Sequence, residues 1–177
     1  MNPPDLWTRR PDPGEYDASY AGYVSCVPDG NLLEFLGAQP AVARARLGNL
    51  SPPAADHRYA PAKWTRREVL GHVVDTEWVF AYRAIRFARN DAEPLAGVDQ
   101  NVLMRGARFA LRSMGDLLEE WAHLRAAQTL QYRRFDEEIL SRTGTANGAQ
   151  FTVRAILHIV AGHAQHHLNV LAERYAG

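Results

Sequence analysis

Four of the seven histidines in this 177-residue chain fall within one short stretch, Ile156 to Leu171. They are His158, His163, His166 and His167, set among aliphatic residues at helical spacing. Ile156, Val160, His163, His167, Val170 and Arg174 step by four and three and so form one seam of a helix. Most of that seam is apolar, which turns it toward a core. Two imidazoles four residues apart lie one turn above the other, within reach of a single ion. Neutral imidazole is a good ligand for Zn, Ni, Cu and Fe. A site that does chemistry commonly takes three protein ligands and leaves a position open, so a third ligand must come from elsewhere.

His72 is the candidate. Val69, His72, Thr76, Val79 and Arg83 share a seam of a second helix, which places His72 on the buried side. Each histidine also has a plainer reading. A single seam histidine is more often a hydrogen-bonded core residue than a ligand. The pair His163 and His167 is the stronger signal, because two buried imidazoles without a partner are costly to keep. His166 competes with His167 but points off the seam, toward the bundle edge. His158 lies on another face, and His57 and His123 read as solvated.

Several named chemistries are excluded. The run His163-Ala164-Gln165-His166-His167 keeps the outer spacing of the zinc-protease helix, but Ala164 stands where the general-base glutamate belongs. A di-iron bundle needs two Glu-x-x-His motifs and two further glutamates; only Glu120-Trp121-Ala122-His123 fits. There is no phosphate-binding glycine-rich loop and no Gly-x-Ser-x-Gly elbow.

The positioning elements follow from caps and breakers. Residues 1–28 hold five prolines and read as an arm, with Tyr16, Tyr20 and Tyr23 available for packing and a short helical turn around 18–25. Residues 29–177 read as the bundle. Asp29 caps a first helix, which Pro40 should kink or split. Residues 51–64 read as a loop. Thr65-Arg66-Arg67-Glu68 is a capping box opening a helix to about Asn90. After a loop at 91–98, a short helix over 100–106 precedes a long one from about Phe109 to Leu140. Gly144 and Gly148 mark a loop, and Thr152 caps a last helix to about Tyr175. No alternating strand pattern is visible. Four amphipathic helices joined by modest loops predict an all-α, antiparallel four-helix bundle with an N-terminal arm and a metal site between helices.

Bulk composition bounds the partners. Lys and Arg number 20, Asp and Glu 20, for a formal net charge of zero, so no global field favours nucleic acid or an acidic membrane. Cys26 is the single cysteine. It excludes an internal disulfide and a cysteine-based zinc cluster, and it suits a reducing cytoplasm. No run approaches the ~18 apolar residues of a membrane span, and the first residues lack a signal-peptide pattern.

The stretch from Tyr59 through Trp64-Thr65-Arg66-Arg67-Glu68-Val69-Leu70-Gly71-His72-Val73-Val74-Asp75-Thr76-Glu77, then Phe80-Ala81-Tyr82-Arg83 and Arg86-Phe87-Ala88-Arg89, resembles the DinB-like, YfiT-type superfamily. So does a second block, Thr152-Val153-Arg154-Ala155-Ile156 through Ala161-Gly162-His163 and His166-His167-Leu168. The resemblance runs from about Tyr20 to Tyr175. It implies a bacterial four-helix bundle with one divalent transition-metal ion, Zn or Ni foremost and Fe or Mn as further options, on His72, His163 and His167. It also implies a metal-dependent hydrolase or a transferase using a low-molecular-weight thiol, with a small-molecule substrate; the neutral charge balance and the lack of an apolar span give no nucleic-acid and no membrane partner. A non-catalytic metal-binding stress or interaction protein is the alternative. Many relatives carry Glu where this chain has Ala164, so no role for that carboxylate transfers. Asp75, one turn after His72, is the candidate catalytic carboxylate, with Glu77 beside it; the plainer role for each is helix-surface charge or a salt bridge to Arg83 or Arg86. Relatives are often homodimers, and the tyrosine-rich arm with Trp7 offers apolar surface for such a contact.

Overall fold

The computed structural model describes residues 6–175. Its frame is four long helices: α2 (Leu32–Leu47), α4 (Arg66–Ala88), α6 (Met114–Tyr132) and α8 (Val153–Arg174). Short helices accompany them: α1 (Ala21–Ser25), α3 (Pro52–Ala55), α5 (Gln100–Gly106) and α7 (Glu137–Ser141). Each long helix begins at a side-chain cap that satisfies an orphan N–H. Asn31 accepts from Leu33 and Glu34, Ser113 from Asp116, and Thr152 from Ala155. Thr65 and Glu68 close the reciprocal box at the start of α4. α4 packs against α6 and α8, and α2 packs against the same two helices. The all-α four-helix bundle expected from the sequence is the fold found.

Several local expectations change. The cap of α2 is Asn31, not Asp29; Asp29 is exposed and pairs with Arg10 at 3.4 Å. Pro40 does not split α2, which runs unbroken past it. The residue four before it, Leu36, loses the backbone donor that proline lacks, and Arg125 Nη1 supplies a replacement at 3.3 Å to the Leu36 carbonyl. The long helix expected over 109–140 is interrupted. A 3₁₀ turn covers Phe109–Leu111, α6 starts after Ser113, and α7 starts after a second cap, Asp136. Both caps accept the backbone N–H three residues on, Asp116 and Ile139, and so start new helices rather than continue one. Pro52–Ala55 adds one helical turn inside the stretch read as a loop.

The glycine loop near 144–148 is a β-hairpin, a correction to the reading that found no strand. Strand β1 (Thr143–Ala146) pairs antiparallel with β2 (Ala149–Thr152), with Ala146 opposite Ala149. Asn147 and Gly148 join them with φ of 53° and 75°. Two central residues at positive φ are what a two-residue hairpin turn of this hand needs, and Asn-Gly is its preferred pair.

The apolar core forms two clusters. One holds Leu36, Phe80, Phe87, Tyr132 and Ile156; the other holds Ala43, Val73, Leu118, Trp121 and Leu168. Each long helix also buries polar residues, among them Gln39, Glu77, Arg125 and His163. The arm packs on the first cluster through Leu6, Trp7, Tyr16, Tyr20 and Tyr23. Within the arm, Arg10 donates to the carbonyls of Val24 and Val27, each at 2.7 Å. α1 lies against α8. Gly162 permits this approach, since a Cβ there would overlap the Tyr23 carbonyl. The apolar arm surface expected to seek a partner thus covers this chain's own bundle. Among the described residues, no helix is long and apolar enough to cross a membrane.

Candidate metal centre

The capping box fixes where α4 starts, and the seam it sets carries His72 inward. His72 is 5% exposed and His163 4%. α8 brings His163 and His167 to the same point from the facing helix. One ring nitrogen of each of His72, His163 and His167 lies within 4.8 Å of the others. The closest pair is His72 Nε2 and His163 Nε2 at 3.0 Å. Ring centroids are 4.6–4.9 Å apart, and the planes are tilted by 66–79°.

The electrostatics of the cluster are those of neutral rings. Burial lowers the pKa of His72 to about 4 and that of His167 to about 3. Burial lowers His163 furthest, and its histidine neighbours add to the effect. Charged imidazolium is disfavoured in a low dielectric, and three such charges would also repel. Around this point the described side chains provide no carboxylate. Thr76 Oγ1 lies 3.3 Å from His72 Nδ1, one turn along the same seam, and orients that ring. Trp64 packs on His72 with centroids 4.8 Å apart, and Tyr23 packs edge-on to His163 at 5.2 Å. Three neutral imidazoles with nitrogens turned together and no anion beside them fit a divalent cation: each brings a lone pair, and none brings a competing charge. The donor set is all nitrogen, the kind that a divalent transition metal takes.

The cluster is not sealed. A cleft of about 270 Å³ opens beside it. His72 and His163 form part of its wall, with Thr76, Phe80 and Arg83 from α4, Gln100 and Leu103 from α5, and Ser19, Tyr20 and Tyr23 from the arm. An arm residue was not legible as part of a site, because nothing in local sequence says which face of a bundle an arm covers. Thr76 and Arg83 did carry a signal, since both share the His72 seam.

The remaining candidates lie apart. Asp75 is absent from the cleft wall. Its carboxyl is raised, first by burial and next by Glu120, with Arg112 opposing, which places it toward α6. Glu77 is 3% exposed and pairs with neither Arg83 nor Arg86. It takes both ends of the Arg125 guanidinium at 2.6 Å and the Trp121 Nε1–H at 2.6 Å. His166 is half-buried beside Tyr23 and His167, outside the convergent trio. Ala164 is buried in the second apolar cluster. His158 is buried on another part of α8 and hydrogen-bonds the Arg154 carbonyl at 3.0 Å.

Comparison with known proteins agrees with this architecture. No curated protein matches the chain. Among solved structures, YfiT from Bacillus subtilis, described as a probable metal-dependent hydrolase with an unusual four-helix bundle topology, superposes with a TM-score of 0.73. It is 15% identical, and the match covers 93% of this chain and 90% of that one; at this identity the likeness speaks for the fold. The sequence model of the DinB superfamily matches residues 36–171, which takes in α4, α6, the hairpin and most of α8. A family match over that span, on a bundle of this topology, establishes that the chain belongs to the DinB superfamily.

Proposed function

We propose that this protein binds one divalent transition-metal ion, zinc or nickel, on His72, His163 and His167, and hydrolyses a small molecule held in the adjoining cleft. The observation that carries the reading is the convergence of three neutral imidazoles, two of them buried, with His72 and His163 in the wall of an open cleft. An ion bound there would act as a Lewis acid toward a water or thiol that reaches it from the cleft. The chain's own residues do the rest. Thr76 holds the His72 ring in one orientation. Tyr20, Tyr23 and Phe80 form an apolar wall that limits water, and Arg83 and Gln100 supply polar contacts for a bound molecule. The structural likeness to a probable metal-dependent hydrolase supports the reaction class.

A second reading, transfer of a low-molecular-weight thiol, is favoured by one feature. No Asp or Glu is among the described residues lining the cleft, and α8 carries Ala164 where many relatives have Glu. A thiol ionises far more readily than water, so it needs a protein base less. A purely structural ion would have no use for an open cleft wall, which argues against the non-catalytic alternative.

Metal reconstitution followed by elemental analysis tests the foundation: about one zinc or nickel per chain is expected. Loaded protein is then assayed with ester, amide and phosphoester substrates, and with a thiol plus an electrophile. Failure of the wild type to retain any ion removes the proposal. Turnover only with thiol present selects the second reading.

A further inference from the structure

Arg83 is 5% exposed, yet it has no carboxylate partner among the described residues. Its one hydrogen bond, Nη2 to the Ala96 carbonyl, is long at 3.5 Å. Its guanidinium carbon sits 5.5 Å from the centre of the Phe80 ring, a modest compensation. Three other buried arginines of the bundle each meet a carboxylate: Arg125 has Glu77 at 2.6 Å, Arg67 has Asp56 at 2.8 Å and Arg154 has Glu137 at 2.7 Å. A guanidinium cannot deprotonate to escape burial, so a buried one is normally paired. Arg83 lines the same cleft as His72 and His163. The three imidazoles bring no negative charge, and an ion on them adds positive charge. The cleft is therefore short of an anion.

We propose that Arg83 forms an anion subsite, and that the molecule taken into this cleft carries a small oxyanion group, carboxylate or phosphoryl, remote from its reacting end. Arg83 follows His72 by eleven residues, so the two share a helix face about 16 Å apart along the axis. Helical side chains lean toward the N-terminus, which swings the guanidinium back along the seam toward His72. The remaining span suits a substrate with several bonds between its charged group and the atom that meets the ion. A guanidinium fork matches a carboxylate or phosphoryl group with two parallel hydrogen bonds. This inference rests on the metal reading only for the other end of the substrate.

The probes are propanoate, its neutral isostere propanamide, and inorganic phosphate. Each is titrated into apo and zinc-loaded protein by calorimetry, with the arginine Nε–Hε resonances followed by NMR. Wild-type protein is expected to bind propanoate or phosphate at least tenfold more tightly than propanamide, with a shift of the Arg83 resonance; the stronger of the two identifies the oxyanion. Arg83→Gln should cut the preference below about twofold while zinc content stays the same, and Arg83→Lys should keep part of it. An equal preference in Arg83→Gln and wild type overturns the proposal. So does a wild type without preference or without a shift at Arg83, which needs no variant to fold. An anion preference in protein that retains no zinc after reconstitution would sink the metal reading and leave this one standing. Zinc retention without anion preference would do the reverse.

Discussion

Helix α4 carries two buried polar groups five residues apart, and they differ in what surrounds them. Glu77 faces α6 and His72 faces α8, since five residues turn a helix by about 140°. At Glu77 every charge is met inside the protein. The carboxylate takes both ends of Arg125 and the Trp121 N–H, and Arg125 reaches on to Gln39 at 3.0 Å and the Leu36 carbonyl. Gln39 in turn donates to the Ala161 carbonyl at 2.9 Å, so the network ties all four long helices. At His72 the polar neighbours are two other imidazoles and a threonine. One cluster is complete without a ligand, and the other has lone pairs but nothing positive to share them. A buried polar cluster that lacks a charge the protein could easily have supplied is the better candidate for binding.

The largest expected effect breaks the complete cluster. Glu77→Ala leaves Arg125 charged, buried and without a counterion, which should destabilise the fold by about 3–5 kcal/mol. Urea unfolding reads it directly. Zinc bound per folded molecule should be unchanged. A loss of zinc alongside intact stability would mean that the roles of the two clusters had been exchanged.

Breaking the incomplete cluster should do the opposite. His163→Leu keeps the volume and removes a poorly partnered polar group, so the metal-free protein should unfold within about 1 kcal/mol of wild type or above it. Zinc affinity, measured against a competing chelator, should fall by more than the roughly 10–100-fold typical of outer partners. His167→Ala should share that severe loss, whereas His166→Ala, outside the trio, should stay within the outer-partner range. Abolished binding in His166→Ala with retained binding in His167→Ala would contradict the assignment of α8.

A smaller effect, per histidine and per pH unit, appears in the pH dependence of the metal-free protein. Burial lowers His158 to about 4, assisted by the charges of Arg10 and Arg154, while its bond to the Arg154 carbonyl opposes the shift. Burial lowers His72 to about 4. Both folded values lie below the ordinary 6.5 of the unfolded chain. As pH falls, the unfolded state therefore takes up protons first. The stabilisation is complete above about pH 6.5 and declines until about pH 4. Each histidine contributes up to about 1.4 kcal/mol per pH unit in that window. Chemical unfolding across pH 7 to 4 should show the decline, and His158→Gln should take about one proton from its slope. A flat profile would show that these rings are not buried in their neutral form.

The sequence by itself determined the helices that begin at strong local signals. The Thr65–Glu68 box and the Thr152 cap act within a few residues, so the starts of α4 and α8 were legible, and their seams placed His72, His163 and His167 on inward faces. The family resemblance rested on those same two segments. Asn147-Gly148 was an equally local signal for a hairpin, and only its short, weakly patterned flanks hid it. Tertiary structure decided what depends on distant partners. Pro40 reads locally as a break, but Arg125, 85 residues away in sequence, takes over the carbonyl that the proline leaves free. Glu77 reads as a neighbour of Arg83 or Arg86 along its own helix, yet its partner stands on α6. The arm reads as a segment whose tyrosines could pack, but where they pack depends on Gly162, 139 residues beyond Tyr23, which lets that residue settle beside the histidines. Helical periodicity fixes the direction in which a side chain points along its own element. Which group meets it there is set by the packing of other elements, and that information is not local.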